Sequence, residues 1–290
     1  MNICTAKCLV HHENLWTFAL TYPRYIHSEF MTHRMFSRNA SSSRAIPVNK
    51  VIEQVDSKPV VPTKVYMNKA GMVGDVEAPI DVATDFYNLW LDAAHNAVET
   101  AKCMEKLGIH KQHINRILEP FQFIKVIVTA TEWSNFFALR LAPDAQPEIQ
   151  QLARAIYDEM DRYRNKEVGV LEVSIPRKDC PDISARMGAD KVHTIVSLPY
   201  ITDEDIKEIG KDNYHQLMKI SAARCARVSY NNHDGSNPDL EKDMKLYDRL
   251  YEGRHMSPME HACIQDPDHR KYANLNGWKS LRYLVENHLL

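Results

Sequence analysis

Residues 81–107 carry apolar side chains at Val82, Phe86, Leu89, Trp90, Ala93, Ala97, Ala101 and Met104. Steps of three and four residues gather these onto one face only if the backbone is α-helical. Asp81 is the expected cap and Gly108 the expected stop. Around this helix the chain alternates between patterns. Residues 8–20 are β-favouring, Tyr22-Pro23 marks a turn, and 26–36 reads as a helix with Ile26, Phe30, Met31 and Met35 as its apolar positions. Residues 39–47 form a polar, Ser-rich loop, and 51–74 reads as irregular because Pro59, Pro62, Gly71 and Gly74 interrupt it. A helix over 109–118, a strand over 121–131, a helix opening over 133–141 and a long helix over 147–164 follow. Residues 177–199 are mixed, 202–218 reads as one helix, and 239–251 as an amphipathic helix ending at Gly253. With no internal repeat and no linker, residues 1–290 are expected to form a single domain.

Of the 290 residues, 44% are hydrophobic and 26% charged, enough apolar material for a full core and too much for disorder. The net charge of −2 gives no general attraction to nucleic acid or anionic membrane. A phosphate ligand must therefore be held by locally clustered cations. Cys4, Cys8, Cys103, Cys180, Cys225 and Cys263 form no C-x-x-C pair and have no companion His cluster, so they read as reduced thiols with no metal site. Residues 1–7 lack the layout of a signal peptide, and no run of ~18 apolar residues occurs. The expectation is a cytoplasmic protein without a membrane or nucleic-acid partner.

The chemistry concentrates in residues 32–44, T-H-R-M-F-S-R-N-A-S-S-S-R, which place Arg34, Arg38 and Arg44 beside His33 and five hydroxyls. Guanidinium forks and hydroxyl donors suit phosphate oxygens and carbonyls. A solvated Ser-rich loop is the bland alternative.

This segment resembles the signature of the flavin-dependent thymidylate synthases, R-H-R-x-x-S-x-N-E-x-S-x-R. His33, Arg34, Ser37, Asn39, Ser42 and Arg44 match it, while Thr32 replaces the first Arg and Ala40 the Glu. The resemblance implies that His33, Arg34, Ser37 and Asn39 contact FAD and that Ser42, Ser43 and Arg44 contact the nucleotide. A second stretch is similar to the same family: Arg116 to Pro120, then Asn135-Phe136-Phe137-Ala138-Leu139-Arg140, then Ala145-Gln146-Pro147-Glu148-Ile149. It implies that Arg116 binds the nucleotide phosphate of a neighbouring subunit, Asn135 approaches the flavin, and Arg140 bonds the pyrimidine carbonyls. A surface helix cation is the lesser alternative for Arg116. Residues 222–230, A-A-R-C-A-R-V-S-Y, and 253–261, G-R-H-M-S-P-M-E-H, resemble two further family blocks. Ordinary members carry these before the Arg-His-Arg motif, whereas here they trail it, so the chain reads as circularly permuted. By matching, Ser257 and Glu260 would bind FAD, although Ser257 could also serve as a helix cap with Glu260 as the capping carboxylate.

The resemblance implies an α+β fold, a mixed sheet flanked by long helices, and a homotetramer with sites built between subunits. It implies dUMP methylation at C5, with FAD, NADPH and methylenetetrahydrofolate. Arg140 is then the catalytic residue that polarises the base. Cys180 lacks the Pro-Cys-His context of the classical thymidylate synthase nucleophile and reads as a structural thiol. Glu29 stands where the family usually has a nucleotide-site Gln. An ionised Glu only accepts hydrogen bonds, which favours a cytosine amino group over a uracil carbonyl. Methylation or hydroxymethylation of dCMP or dUMP is therefore the alternative. A catalytically inactive flavin or nucleotide binder, or a cofactor-free regulator, is the reading from another class.

Overall fold

The computed structural model describes residues 2–71, 74–176, 191–229, 231 and 236–289. Cys180 and Tyr230 lie outside them. In chain order the elements are β1 (Thr5–His12), β2 (Leu15–Pro23), α1 (His27–Met31), β3 (Ser37–Ala40), α2 (Val48–Ser57), α3 (Ile80–Lys106) and α4 (Lys111–Leu118). There follow β4 (Phe123–Ala130), α5 (Ser134–Arg140), α6 (Pro147–Tyr163), β5 (Val170–Pro176), β6 (Lys191–Ser197), α7 (Asp203–Ile209), α8 (Tyr214–Arg227) and α9 (Leu240–Glu252). The last elements are β7 (Cys263–Gln265), β8 (Lys271–Tyr272), β9 (Leu275–Asn276), β10 (Trp278–Ser280) and α10 (Leu281–Glu286).

The expected strand over 8–20 is a hairpin. It turns at Glu13-Asn14, where Glu13 adopts φ 50° and Asn14 Oδ1 accepts from Trp278 Nε1 at 3.2 Å. A contact from the far end of the chain supports this turn, so no local Gly signalled it. β4 pairs antiparallel with β2 along Trp16–Pro23 and carries β3 on its other edge, giving the order β1-β2-β4-β3. One face of this sheet buries Phe18, Leu20, Val126 and Val128 against Ile149, Leu152, Ala153 and Ile156 of α6. A second antiparallel sheet has the order β10-β7-β6-β5, and beneath it α8 buries Leu217, Met218 and Ala222. The α+β class follows directly from this layering.

Several local expectations change. The helix over 26–36 stops at Met31, where Thr32 Oγ1 donates to the Glu29 carbonyl at 2.7 Å, and the chain then enters β3. Asn39 and Ala40, expected in a loop, are the last pairs of β3 with β4. The irregular stretch over 51–74 begins instead within α2, which buries Val51, Ile52 and Val55 against Ala94, Val98 and Ala101 of α3. Pro59 and Pro62 come after that helix and do not interrupt it. Helix α3 starts one residue earlier than expected behind Pro79, which leaves Asp81 in the first turn and not at the cap. There its charge still suits the helix dipole. The expected helix over 202–218 breaks at Gly210, with φ 86°, into α7 and α8; a capping box of Thr202 and Asp205 opens α7.

Helices α7, α8 and α9 meet on a buried charge cluster. Arg224, fully buried, donates to Asp205 Oδ2 at 2.6 Å, to Asp243 Oδ2 at 2.9 Å and to the Tyr200 carbonyl at 2.8 Å. Arg227 NH1 lies 2.6 Å from Asp243 Oδ1, a charge contact not aligned as a hydrogen bond. Both arginines belong to the A-A-R-C-A-R block.

The two sheets are stitched by the bridge of His11 with Val168, and Gly169 beside it holds φ 64°. A Cβ at Gly169 would collide with the Leu9 carbonyl oxygen, and the left-handed backbone adds strain of its own. Gly169→Ala is expected to cost about 1–3 kcal/mol, read as a lower urea midpoint. An unchanged midpoint would show that the bridge yields freely. Among the described residues no helix is long and apolar enough to cross a membrane.

Candidate functional site

The core of the site is a set of polar groups resting on an aromatic floor. Phe30, Phe36 and Phe136 are buried, and the His33 ring meets Phe136 edge-on at 4.9 Å. That floor holds the last turn of α5 against the chain leaving α1. Arg140 Nε donates to His33 Nε2 at 2.9 Å, Arg140 NH2 reaches Thr32 Oγ1 at 3.4 Å, and NH1 lies 3.9 Å from Glu29 Oε2. Thr32 therefore stands in the cluster despite being a departure from the motif, as a hydroxyl in place of a cation. Glu29 faces Arg140 and so belongs to the same cluster. Burial first, then Arg140, raises and lowers its carboxyl respectively, and the net direction is up.

Because Nε2 accepts from a guanidinium, His33 is neutral with its proton on Nδ1. Burial, helped by Arg140 and Arg38, pushes its imidazole down to about 4. An unfolded His titrates near about 6.5, so between about 6.5 and about 4 the unfolded chain binds the extra proton. Stability present above this window is lost as pH falls through it. His27 acts in the same sense, lowered to about 4 by burial, Arg24 and Arg38. Urea midpoints are expected to fall between about pH 7.5 and about pH 4.5, and His33→Gln to remove part of that fall. The same drop in the variant would take His33 out of the account.

Asn39 joins the trailing blocks to the motif. Its Nδ2 donates to the Cys225 carbonyl at 2.9 Å, and its Oδ1 accepts from Ser257 Oγ at 3.0 Å. One amide thus bonds β3 to α8 and to the 3-10 turn Ser257–Glu260, although these pieces stand far apart along the chain. Ser257 caps no helix, since the turn makes no side-chain cap and its hydroxyl is spent on Asn39. Glu260 pairs with Arg282 NH1 at 2.7 Å. Ser37 is buried and accepts from Asn274 Nδ2 at 3.0 Å. Arg38, outside the matched positions, donates to the His33 carbonyl at 2.8 Å and the Met31 carbonyl at 3.0 Å, tying down the motif backbone.

The remaining residues form a second group. Glu119 Oε1 accepts from Ser43 Oγ at 2.7 Å and Arg116 NH1 at 2.8 Å, with Arg24 NH2 at 3.1 Å. Sequence reasoning missed Glu119, Arg24 and Arg282, whose only signal is charge opposite a motif residue once the chain is folded. Arg34, Arg44 and Asn135 are exposed, as is Arg116, and Arg34 and Arg44 have no hydrogen bond or ion pair among the described residues. Ser42 is exposed on the wall of a cavity beside β4.

A family model described as thymidylate synthase complementing protein matches residues 11–163, more than half of the chain. The chain belongs to this family. The flavin-dependent thymidylate synthase of Pyrococcus abyssi (strain GE5 / Orsay) is 27% identical over 134 residues, 46% of this chain and 48% of that protein. The chain thus spans about half the length of that curated relative. Two solved structures of a UMP/dUMP methylase, PolB from Streptomyces cacaoi, bound with 5-Br UMP and with 5-Br dUMP, overlay with TM-scores of 0.43 and 0.42. Each is 20% identical and covers 51% of this chain, with 68% and 67% of the respective partner chain. The family model covers 11–163 of the chain, while Ser257, Glu260 and the α8 block lie beyond it.

Proposed function

We propose that the protein is a flavin-dependent enzyme that methylates a pyrimidine deoxynucleotide at C5, converting dUMP to dTMP with methylenetetrahydrofolate and NADPH. The supporting observation is Arg140, whose guanidinium is oriented by His33 and Thr32 so that a planar donor is fixed before any base arrives. Negative charge developing on the ring carbonyls during attack from C5 is then met by a preorganised cation. The residues suit a flavin: Asn39 and Ser257 meet through one hydrogen bond, and the exposed Arg34, without an ion pair among the described residues, would supply charge for a diphosphate. Bound FAD would supply reducing equivalents. The transferred carbon arrives as a methylene unit and needs two electrons to end as methyl; without them it ends as hydroxymethyl. The exposed Arg116 and Arg44 suit a site completed by a neighbouring copy, in a homotetramer within the cytoplasm.

Purified protein is expected to be yellow and to yield dTMP by mass analysis after incubation with dUMP, methylenetetrahydrofolate and NADPH. A colourless protein without turnover would sink the proposal, and a yellow one that never oxidises NADPH would favour an inactive binder. A second reading rests on Glu29, which stands 3.9 Å from Arg140 at the base-polarising edge. If it accepts from a cytosine amino group, dCMP is the better substrate, and Glu29→Gln shifts preference toward dUMP by roughly tenfold, about 1.4 kcal/mol. The dCMP to dUMP ratio of kcat/KM in wild type and variant decides it. A dUMP preference unmoved by the substitution leaves the plain methylase.

A further inference from the structure

Between β7 and β10 the chain folds into the small hairpin of β8 and β9, which lies beyond the residues that the family model matches. Its base is fixed. Buried Asp266 accepts from Arg270 N at 3.1 Å and Arg270 Nε at 3.2 Å, and Gly277 N donates to the Arg270 carbonyl at 2.8 Å. Leu275 and Trp278 are buried with Val10 and Leu15 of the first sheet. From this base two asparagines reach two different segments. Asn274 Nδ2 donates to the Met35 carbonyl at 3.1 Å and to Ser37 Oγ at 3.0 Å. A carbonyl only accepts, so the amide nitrogen has to face Met35. Asn276 N donates to Thr131 Oγ1 at 3.0 Å, and its Nδ2 to Glu132 Oε1 at 2.7 Å. Met35 and Ser37 follow His33 directly, whereas Thr131 and Glu132 lead into α5, which ends on Arg140. The hairpin therefore joins, a second time, the two segments that meet at the Arg140–His33 hydrogen bond. Apolar packing on the aromatic floor is non-directional and holds the segments together without fixing their register. Directional hydrogen bonds fix it.

We infer that the β8–β9 hairpin is the positioning element of the candidate site, with Asn274 holding the motif segment and Asn276 the approach to α5, so that Arg140 stays on His33. Both asparagines act through Arg140 and are positioning residues. A donor that is to meet developing charge has to be held in place by its supporting contacts before the substrate arrives, and displacement by an ångström is costly. The role of Arg140 as the group that polarises a base rests on the function proposed above; the hairpin's hold on the Arg140–His33 contact does not.

The Nε–H of Arg140 gives a readout inside the contact itself. Its NMR signal, assigned by its loss in Arg140→Lys, is expected to exchange slowly with water in the full-length wild type and roughly tenfold faster in Asn274→Ala. Asn274→Asp keeps the shape of the amide and loses its donors, so it is expected to match Ala and serves where Ala loosens the hairpin. Asn276→Ala removes the bond to Glu132 but leaves the main-chain N–H on Thr131, and a smaller, severalfold rise is expected. A purely structural role would lower the urea midpoint and leave the Arg140 signal where it was. In turnover, Asn274→Asp is expected to lower kcat about tenfold while KM for dUMP changes less than about twofold, the pattern of an interaction realised in the transition state. Arg140 exchange as slow in both Asn274 variants as in wild type would overturn the inference. Failure of the proposed function reads differently, as a protein without turnover whose Arg140 exchange still responds to Asn274.

Discussion

Asp243→Ala is expected to lower folding stability by about 3–5 kcal/mol, the cost of leaving buried charge without its partner. Asp243 is fully buried and is shared by two guanidiniums, Arg224 through Oδ2 at 2.9 Å and Arg227 through Oδ1 at 2.6 Å. Removing it takes from Arg227 its ion-pair partner among the described residues, while Arg224 keeps Asp205 and the Tyr200 carbonyl. The wide Ala cavity is a smaller term, because the deleted group is small. Asp243→Asn separates the two, since it keeps the shape and removes only the charge, and it is expected to recover less than half of the loss. The measurement is the urea midpoint at constant slope. A shift corresponding to under about 1 kcal/mol for Ala would show that water reaches the cluster and screens it. The effect should also reach the site, because α8 presents the Cys225 carbonyl to Asn39. Loosening that helix is expected to lower flavin content before the protein unfolds.

Arg140→Ala is expected to lower kcat by about 10²–10³, roughly 3–4 kcal/mol, while the protein keeps its fold and its flavin. The guanidinium is half-buried on the last turn of α5 and makes its contacts through side-chain nitrogens alone, so no buried charge is stranded when it goes. Arg140→Lys should recover little. An ammonium is a point charge that cannot donate to His33 and to a ring carbonyl in the fixed fork geometry. Single-turnover rates at saturating nucleotide, with the flavin spectrum recorded in parallel, give the comparison. A loss under tenfold would move the polarising role elsewhere in the cluster.

Much of this was legible in the residues themselves. The long periodic runs at α3 and α6 specify helices because amphipathic spacing needs no distant partner to be recognised. The motif residues His33, Asn39 and Arg140 were identifiable as site candidates because their segments resemble those of the flavin-dependent thymidylate synthases. Short elements were not legible. Helix α2 and strand β3 owe their existence to the surfaces of α3 and β4, and a segment of that length has too little intrinsic preference to choose its own conformation. The hairpin turn at Glu13-Asn14 is held by Trp278, and the break at Gly210 separates two helices whose sequence runs on as one pattern.

What the sequence by itself determined was the set of groups: a guanidinium-rich segment, an Asn-x-x-x-Leu-Arg helix, and two trailing blocks bearing Arg, Ser and Glu. The tertiary structure decided which of them meet. Asn39 touches Ser257 and the end of α8, Arg140 turns onto His33, and Glu119, Arg38 and Arg282 acquire partners that no local pattern announces. Side-chain chemistry is a property of a residue, but proximity between segments far apart in the chain comes from burying their apolar faces together, and only the folded packing contains that.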